Sequence, residues 1–274
     1  GTIETGEAML DQSILKLNTV LMATTNDVML EAFREHHEYP SFRDRLTLVP
    51  VPYITRRSTE RRIYELMIRP SIERHVSPHA IGAAAHWAVL TRLHKPRAER
   101  YPDAIEGLIG RLTASEKCDL YDDGTVPEGL GDEEAAALAD AIGALRTEDD
   151  GSWRYEGRYG ASPRLIRQVI LSAALAENHD CLSPFAVLEE LERVAERTRE
   201  HPFLDREAKE GGYHDHRGFI DIVEGRVLDE IEAEIRTASG LVEEHRHEEL
   251  FAKYVDPVVN SIETEKVQPA TTGQ

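Results

Sequence analysis

The chain has 274 residues, a formal net charge of −19 at pH 7 and an apolar fraction of 41%. That apolar fraction favours a folded globular protein over a disordered one, and no apolar stretch reaches the roughly 20 residues of a membrane helix. A polyanion repels nucleic acids and anionic lipids, so we expect neither nucleic acid nor membrane as a partner. Cys118 and Cys181 lie far apart without a CxxC motif. This favours a reducing, cytoplasmic setting and two structural thiols.

Two strands and an intervening helix are predicted near the N-terminus. Residues 17–24 are largely apolar and partly β-branched, which is typical of a buried strand. Residues 27–38 follow with a helical pattern. Residues 46–54 form the second strand. Because proline cannot donate to a sheet ladder, Pro50 and Pro52 place this strand near a sheet edge.

From residue 58 onward the pattern is almost entirely helical. Several helices are predicted to begin at a serine followed by proline, since serine caps a helix and proline suits its first turn. Residues 97–158 are charged and helical, with glycine and proline interruptions. A break in composition at 200–218 precedes the last two predicted helices. The predicted helices run from about 58 to 68, 78 to 94, 163 onward, 184 to 199, 219 to 239 and 241 to 261.

Polar side chains flank both predicted strands. Asn26 lies in the turn after the first strand, where open α/β sheets place ligands; the same turn could instead simply cap the next helix. Arg43 and Arg45 precede the second strand. A guanidinium there could reach the γ-phosphate at a neighbouring subunit, because its planar fork matches phosphate oxygens. The alternative is a solvated surface arginine.

Arg164 lies in the first turn of the helix that begins after Ser162-Pro163. The helix dipole does not favour a cation at that end. A bound anion would compensate for this placement, and the alternative is an exposed arginine on an amphipathic helix.

Two short histidine motifs raise the question of a metal. His214-Asp215-His216 and His245-Arg246-His247 place histidines two residues apart. On a helix these positions point to different faces and cannot chelate together, whereas in an extended turn the first pair could. We expect structural or hydrogen-bonding roles and no metal site.

The shared order of these segments is more specific than any one of them. A strand with Thr-Asn, then Asp-Arg before a strand, then helices containing Gly-Ala-Ser-Pro-Arg resembles the sensor 1, arginine-finger and sensor 2 regions of AAA+ ATPases. The last motif is similar to the lid of the MoxR-type branch. Over nearly its whole length the chain resembles the PrkA family of serine protein kinases. The motifs that carry this resemblance are Gly1-Thr2-Ile3-Glu4-Thr5-Gly6-Glu7, Ser41-Phe42-Arg43-Asp44-Arg45-Leu46, Val51-Pro52-Tyr53, Arg158-Tyr159-Gly160-Ala161-Ser162-Pro163-Arg164, Cys181-Leu182-Ser183-Pro184 and Gly211-Gly212-Tyr213-His214-Asp215-His216.

The resemblance implies an α/β fold, the C-terminal part of a AAA+ P-loop core, followed by a mostly α-helical lid and an α-helical C-terminal domain. The implied boundaries are 1–56 for the core, 57–200 for the lid with an insertion at about 97–158, and 201–274 for the start of the last domain. It also implies ATP and Mg²⁺ as cofactors, protein clients and a homo-oligomeric ring.

The same resemblance assigns a role to each candidate residue. Asn26 would be the catalytic sensor 1 residue that orients the attacking water or the γ-phosphate. Arg45 would be the arginine finger acting on a neighbouring subunit, with Arg43 as the alternative. Arg164 would be sensor 2, which contacts the bound nucleotide and couples it to the position of the lid.

The chain lacks the two motifs that bind phosphate and Mg²⁺ in a complete ATPase. It contains no G-x-x-x-x-G-K-[ST] motif, since Glu7 stands where the spacing of Gly1 and Gly6 would require lysine. The acidic Walker B pair that holds Mg²⁺ is also absent. In the family both motifs lie upstream of Gly1, so we expect a fragment that is inactive alone. The H-R-D and D-F-G signatures of eukaryotic-type kinases are absent as well.

Two other functions fit the same sequence. The helices could form a non-catalytic oligomerisation or adaptor module that senses nucleotide without turning it over. They could also form a helical scaffold with no link to nucleotides, in which case replacing Asn26, Arg45 and Arg164 by alanine would change no activity of the full-length protein.

Overall fold

The computed structural model describes residues 5–10, 13–18, 20–148 and 155–240. Within them the protein is mostly helical, with one small antiparallel sheet. The chain divides into two units, Gly1–Val51 and Pro52–Gln274. None of the helices described is both long and apolar enough to cross a membrane.

The first unit contains a hairpin and two helices. Strands β1 (Glu7–Leu10) and β2 (Ser13–Lys16) pair antiparallel, a hairpin that the sequence analysis did not predict. Helices α1 (Asp27–Glu35) and α2 (Tyr39–Arg43) follow. They are joined by aromatic packing, because the ring of Phe33 on α1 lies 5.4 Å and 5.8 Å from the rings of Tyr39 and Phe42 on α2.

The prediction of strands at 17–24 and 46–54 is wrong for the described residues of both segments. A strand must pair its backbone N–H and C=O groups with a neighbouring strand. The only sheet among the described residues is the β1–β2 hairpin, and neither segment joins it as a strand. The apolar side chains therefore remain exposed, with Val20 at 90% and Met22 at 89% of their full accessibility.

The second unit is a helical assembly, as the sequence predicted. The interruption around residues 124–131 falls between two helices, and the Ser-Pro starts at 162–163 and 183–184 lie where they were expected. The start predicted at Ser77-Pro78 is wrong by two residues, because that helix begins at Ala80 with His79 as its N-cap. The predicted helix at 241–261 lies outside the described residues. The helices are α3 (Arg57–Met67), α4 (Ala80–Arg92), α5 (Asp103–Arg111), α6 (Ala114–Asp122), α7 (Asp132–Arg146), α8 (Pro163–Leu175), α9 (Pro184–Glu196) and α10 (Gly218–Ala238).

Capping side chains determine where several of these helices begin. Thr113 accepts a hydrogen bond from the backbone N–H of Glu116, and the Glu116 carboxylate accepts one from the Thr113 N–H, which completes a capping box at α6. Ser162 and Ser183 accept hydrogen bonds from the N–H groups three residues later and so cap α8 and α9.

Helix α4 forms the centre of the second unit. Every residue from Ala83 to Arg92 is buried, and the helix packs against α3, α8, α9 and α10. A helix that is apolar on all sides belongs in the middle of a core rather than at its surface. Trp87 is fully buried there and donates from Nε1 to the carbonyl of His216 at 3.1 Å. This bond ties the core helix to the segment preceding α10.

Candidate functional site

Asn26 is the N-cap of α1. Its Oδ1 accepts a hydrogen bond from the backbone N–H of Met29 at 2.8 Å, and the side chain is exposed. The cap uses only the acceptor of the side-chain amide, so the Nδ2 donors remain available to a ligand. The capping interpretation and the sensor interpretation of Asn26 are therefore compatible in geometry.

Arg43 and Arg45 lie at and just beyond the end of α2, and both are exposed. Arg43 Nε is 3.1 Å from the Asp44 carboxylate, and Arg45 Nη1 donates to the backbone carbonyl and the hydroxyl of Ser41 at 2.7 Å and 3.1 Å. Such exposed local contacts contribute little to stability. Either guanidinium can exchange them for a phosphate at small cost.

Arg164 is the second residue of α8, and it belongs to the other unit. Its side chain is exposed and makes no ion pair or hydrogen bond with the residues that the structure describes. Pro163 occupies the preceding position, where its fixed φ angle suits the start of a helix. Arg164 is thus presented from a well-defined helix end without a local acidic partner.

A buried arginine holds the turn that leads to Arg164. Arg92, at the C-terminal end of α4, donates from Nε and Nη2 to the carbonyl of Ala161 at 2.9 Å and 2.8 Å. Its Nη2 also lies 2.6 Å from Glu60 Oε1, and its Nη1 donates to the carbonyl of Ile54 at 2.8 Å. The side chains of Arg92 and Glu60 are 0% and 1% exposed. We call these four residues the Arg92 clamp.

The Arg92 clamp satisfies the requirements of a buried ion pair. Glu60 also accepts a hydrogen bond from the hydroxyl of Tyr64, and burial raises the pKa of that phenol well above its usual value. A buried charge is tolerated only when it is paired and fully hydrogen-bonded. The clamp therefore connects α3, α4 and the start of α8 through a polar contact that breaks only at high cost.

The backbone at Gly160 lies very close to Arg92 and Thr91 at the end of α4. Gly160 has a φ angle of +122°, and a Cβ atom there would lie 2.7 Å from Arg92 Cγ and 2.8 Å from the carbonyl oxygen of Thr91. The next residue, Ala161, donates its N–H to the Thr91 hydroxyl at 2.9 Å. Only glycine fits position 160, which explains the first residue of the Gly-Ala-Ser-Pro-Arg motif.

Neither Arg92 nor Glu60 was predicted from the sequence as a functional residue. The signal that could have found Arg92 is its position at the end of a strongly apolar helix. Arginine is almost never fully buried unless it is paired. The partners are separated from it by 32 and 69 residues along the chain, so its function as a clamp follows only from the fold.

A second buried ion pair lies beyond the end of α4. Lys117 Nζ is 2.9 Å from Glu156 Oε2 and donates to the carbonyl of His94 at 2.7 Å, while the His94 N–H donates to Glu156 Oε1 at 2.9 Å. Burial raises the pKa of the Glu156 carboxyl, and Lys117 opposes that shift. This Lys117 pair fixes the loop after α4 in the same way that the Arg92 clamp fixes the helix end.

The predicted histidine and cysteine groups show no catalytic arrangement. His216 Nε2 lies 2.8 Å from the Phe203 carbonyl, while His214 Nε2 is 3.4 Å from His94 Nδ1. His245-Arg246-His247 lies outside the described residues, and among those that are described no group of three or more metal-ligating side chains occurs. Burial raises the pKa of the Cys118 thiol to about 12, so Cys118 is not a nucleophile at neutral pH.

Comparison with known proteins identifies relatives of both parts of the chain. A family model described as the PrkA AAA domain matches residues 4–100, and one described as the PrkA serine protein kinase C-terminal domain matches residues 115–274. The chain is 24% identical over 265 residues to the ATP-dependent protease PrkA of Bacillus subtilis (strain 168), which covers 96% of this chain and 37% of that protein. It is 31% identical over 86 residues to the serine/threonine kinase YeaG of Escherichia coli (strain K12), covering 31% of this chain and 13% of that protein.

The chain thus spans little more than a third of the length of its Bacillus relative. A search of solved structures gives no significant match. The C-terminal family model alone covers more than half of the chain, and the AAA model covers most of the rest. The motif order, the helical architecture and these two matches lead to one conclusion: the chain belongs to the PrkA family.

Proposed function

We propose that this chain provides the nucleotide-sensing lid and part of the C-terminal domain of an ATP-dependent PrkA-type enzyme that acts on protein clients. The observation that carries the proposal is the presentation of Arg164. Its guanidinium is exposed, without an acidic partner among the described residues, at the first turn of a helix whose start is held by the buried Arg92 clamp. A fixed, unpaired cation at a helix N-terminus suits an anionic ligand such as a phosphate.

The Arg92 clamp gives Arg164 its proposed function in coupling. Arg92 holds the Ala161 carbonyl with two hydrogen bonds, and Ala161 lies three residues before Arg164. A residue that must recognise a phosphate is most precise when its support is rigid. A nucleotide contact at Arg164 would therefore be transmitted through the clamp to α3 and α4 as one body.

The first unit, considered by itself, offers two further exposed groups for nucleotide chemistry in the whole protein. Asn26 retains free amide donors that can orient a water molecule or a γ-phosphate, as sensor 1 requires. Arg45, with Arg43 as the alternative, supplies a cation that acts at the active site of a neighbouring subunit. An arginine finger acting in trans requires a ring of subunits, so we expect a homo-oligomer.

The residues of this chain fit the periphery of an ATP site but not its centre. Arg164 and Asn26 offer donors for phosphate oxygens, whereas the sequence holds no glycine-rich phosphate loop and no Walker B carboxylates. In the whole protein we expect other segments to hold ATP and Mg²⁺, which would supply the phosphoryl group for transfer or hydrolysis. This chain would orient the attacking water or the γ-phosphate, sense the bound nucleotide and transmit that contact to the rest of the lid.

The reaction on the client can be a phosphorylation or an ATP-driven remodelling that leads to cleavage. The names of the two relatives, a protease and a serine/threonine kinase, both indicate protein as the substrate class. Incubating the full-length enzyme with labelled ATP and a client protein separates the two. Phosphate on a client serine would establish the kinase, whereas new peptide ends with only free phosphate would establish the ATP-driven protease.

The trans arrangement is tested by mixing two inactive full-length variants. We expect Arg45→Ala and a Walker-A-deficient variant each to hydrolyse ATP very slowly alone. Mixed in increasing ratio, they should regain activity, because intact fingers of one variant then face intact nucleotide sites of the other. Arg34→Ala, which removes an arginine of α1 in the same unit, serves as the matched control and should hydrolyse ATP at the normal rate.

Failure to regain activity, with both variants folded and assembled, would exclude Arg45 as a trans finger. Arg43→Ala would then be tested in the same mixture. If neither arginine matters and the full-length protein binds ATP without hydrolysing it, the non-catalytic adaptor function is the correct one.

A further inference from the structure

A polar cavity lies where the loop after α4 meets the loop before α10. Its volume is about 440 Å³, within the range of pockets that hold small molecules. We call it the junction pocket. Its lining includes His94, Lys95 and Arg97 from the first loop and Arg206, Lys209 and His214 from the second. The first three residues belong to the segment that matches the AAA model, and the last three to the segment that matches the C-terminal model.

The junction pocket concentrates positive charge in an otherwise acidic protein. Of the ten lining residues that the structure describes, four are lysine or arginine, although the chain has only 32 such residues in 274 and a net charge of −19. Three glutamates also line it, but two are already engaged by protein donors. Glu156 forms an ion pair with Lys117. Glu148 accepts hydrogen bonds from the Arg97 N–H at 3.0 Å and the Tyr101 hydroxyl at 3.2 Å.

The cations are arranged so that a ligand can reach them. The Arg206 guanidinium lies 4.2 Å from the centre of the Tyr159 ring, which holds its planar face against the pocket wall. Lys209 makes no ion pair with any residue in the described ranges. Lys95 pairs with Glu210 at 2.6 Å, but the Glu210 side chain is 88% exposed. That pair can therefore open toward a competing anion at little cost.

The pKa values of the two histidines in the pocket are lowered by burial and by the same nearby cations. Burial, reinforced by the nearby Arg206 and Lys209, lowers the pKa of His94 to about 3 and that of His214 to about 4. Both rings are therefore neutral at pH 7 and offer hydrogen-bonding nitrogens rather than charge. A neutral imidazole N–H can donate a hydrogen bond to a phosphate oxygen without first taking up a proton. The neighbouring lysine and arginine side chains supply the positive charge.

We propose that the junction pocket binds a small phosphate-bearing molecule, with Arg206 and Lys209 as its principal ligands for the phosphate oxygens. Arg206 suits this function because a guanidinium can form two parallel hydrogen bonds to a phosphate. The cavity is larger than one phosphate group needs, which leaves room for the rest of the ligand. The site is separate from the nucleotide contact proposed for Arg164, and its existence does not depend on that contact.

Calorimetric titration of the chain with inorganic phosphate and with pyrophosphate, at constant ionic strength, tests the proposal. We expect saturable binding at one site per chain. Arg206→Ala and Lys209→Gln should each weaken the affinity by about tenfold or more, since each removes a charge-assisted contact to the phosphate. Lys209 is exposed, so Lys209→Gln keeps the test valid even if Arg206→Ala disturbs folding.

Two matched variants locate the site. Arg167→Ala removes one exposed positive charge from α8, outside the pocket, and should change the affinity less than twofold, whereas Arg164→Ala tests whether the measured phosphate binds at α8 instead. Absence of saturable binding would overturn the proposal. So would an equal loss in all four variants, which indicates non-specific charge, or a selective loss in Arg164→Ala, which places the phosphate at α8.

Discussion

The two units of the chain differ in what becomes of their apolar side chains. In the second unit they are buried around α4, and the few charges inside the core are paired. In the first unit, apolar residues such as Val20, Met22 and Val51 remain exposed. A helix satisfies its own backbone and needs only a face to bury, whereas a strand needs a partner before its side chains can be covered. The second unit therefore forms a buried core, whereas none of the described residues of the first unit is buried.

The largest expected difference between the units comes from truncating one large apolar side chain in each. Trp87→Ala should lower the free energy of unfolding by about 3–5 kcal/mol, because it leaves a cavity in the core. Met22→Ala should change it by less than about 0.5 kcal/mol, because the side chain is exposed. Urea denaturation followed by far-ultraviolet circular dichroism measures both. Equal losses would mean that residue 22 is covered in solution and would break the comparison.

A buried arginine and an exposed one sharpen the comparison within the second unit. Arg92→Met keeps the apolar stem but removes the guanidinium, which leaves the buried Glu60 carboxyl without its cationic partner and frees two carbonyls. We expect a loss of about 3 kcal/mol. Arg164→Ala removes an exposed side chain and should cost less than about 0.5 kcal/mol. If Arg92→Met proves as stable as the wild type in the same denaturation measurement, the clamp does not hold the turn before α8.

The smallest predicted effect is a dependence of stability on pH. Burial, reinforced by Arg57 and Arg226, lowers the pKa of His86 from 6.5 to about 3. Below pH 6.5 the unfolded chain therefore binds a proton that the folded chain does not. Stability contributed by neutral His86 is present above pH 6.5 and is lost as the pH falls toward 3. Between pH 7 and pH 5 this loss amounts to about 2 kcal/mol.

Thermal or urea denaturation of His86→Asn at both pH values checks this prediction. The variant should lose about 2 kcal/mol less than the wild type over that interval, whereas replacing the exposed His75 by asparagine should leave the interval unchanged. A wild type and a His86→Asn protein with identical pH profiles would show that His86 is hydrated in the folded state.

The helices could be predicted from the sequence because their signals are local. The serine caps and first-turn prolines placed the starts of α8 and α9 correctly, and the apolar pattern placed α4 in the core. The strands at 17–24 and 46–54 were wrong because an apolar stretch does not specify a hydrogen-bonding partner. The β1–β2 hairpin was missed, since its two four-residue strands are too short to show a clear alternation.

The candidate site was only partly accessible to sequence reasoning. Asn26, Arg43, Arg45 and Arg164 were proposed because they occupy recognisable motifs; all four are exposed in the structure, and their roles stay predictions. The Arg92 clamp was not found because its members come from four separate segments of the chain. Local chemistry marks the groups that can contact a ligand, whereas the groups that position them depend on tertiary contacts.

The most direct test of the central proposal compares two arginines of one helix. Arg164 and Arg167 are both exposed on α8, and only Arg164 lies in the first turn, beside the clamped loop. Steady-state ATP hydrolysis should be measured for the full-length protein carrying either Arg164→Ala or Arg167→Ala, with thermal stability as a check on folding. We expect Arg164→Ala to lower kcat/KM for ATP by about tenfold or more, with Arg167→Ala and both melting temperatures unchanged. Equal activity in the two variants would contradict the assignment of Arg164 as the nucleotide sensor.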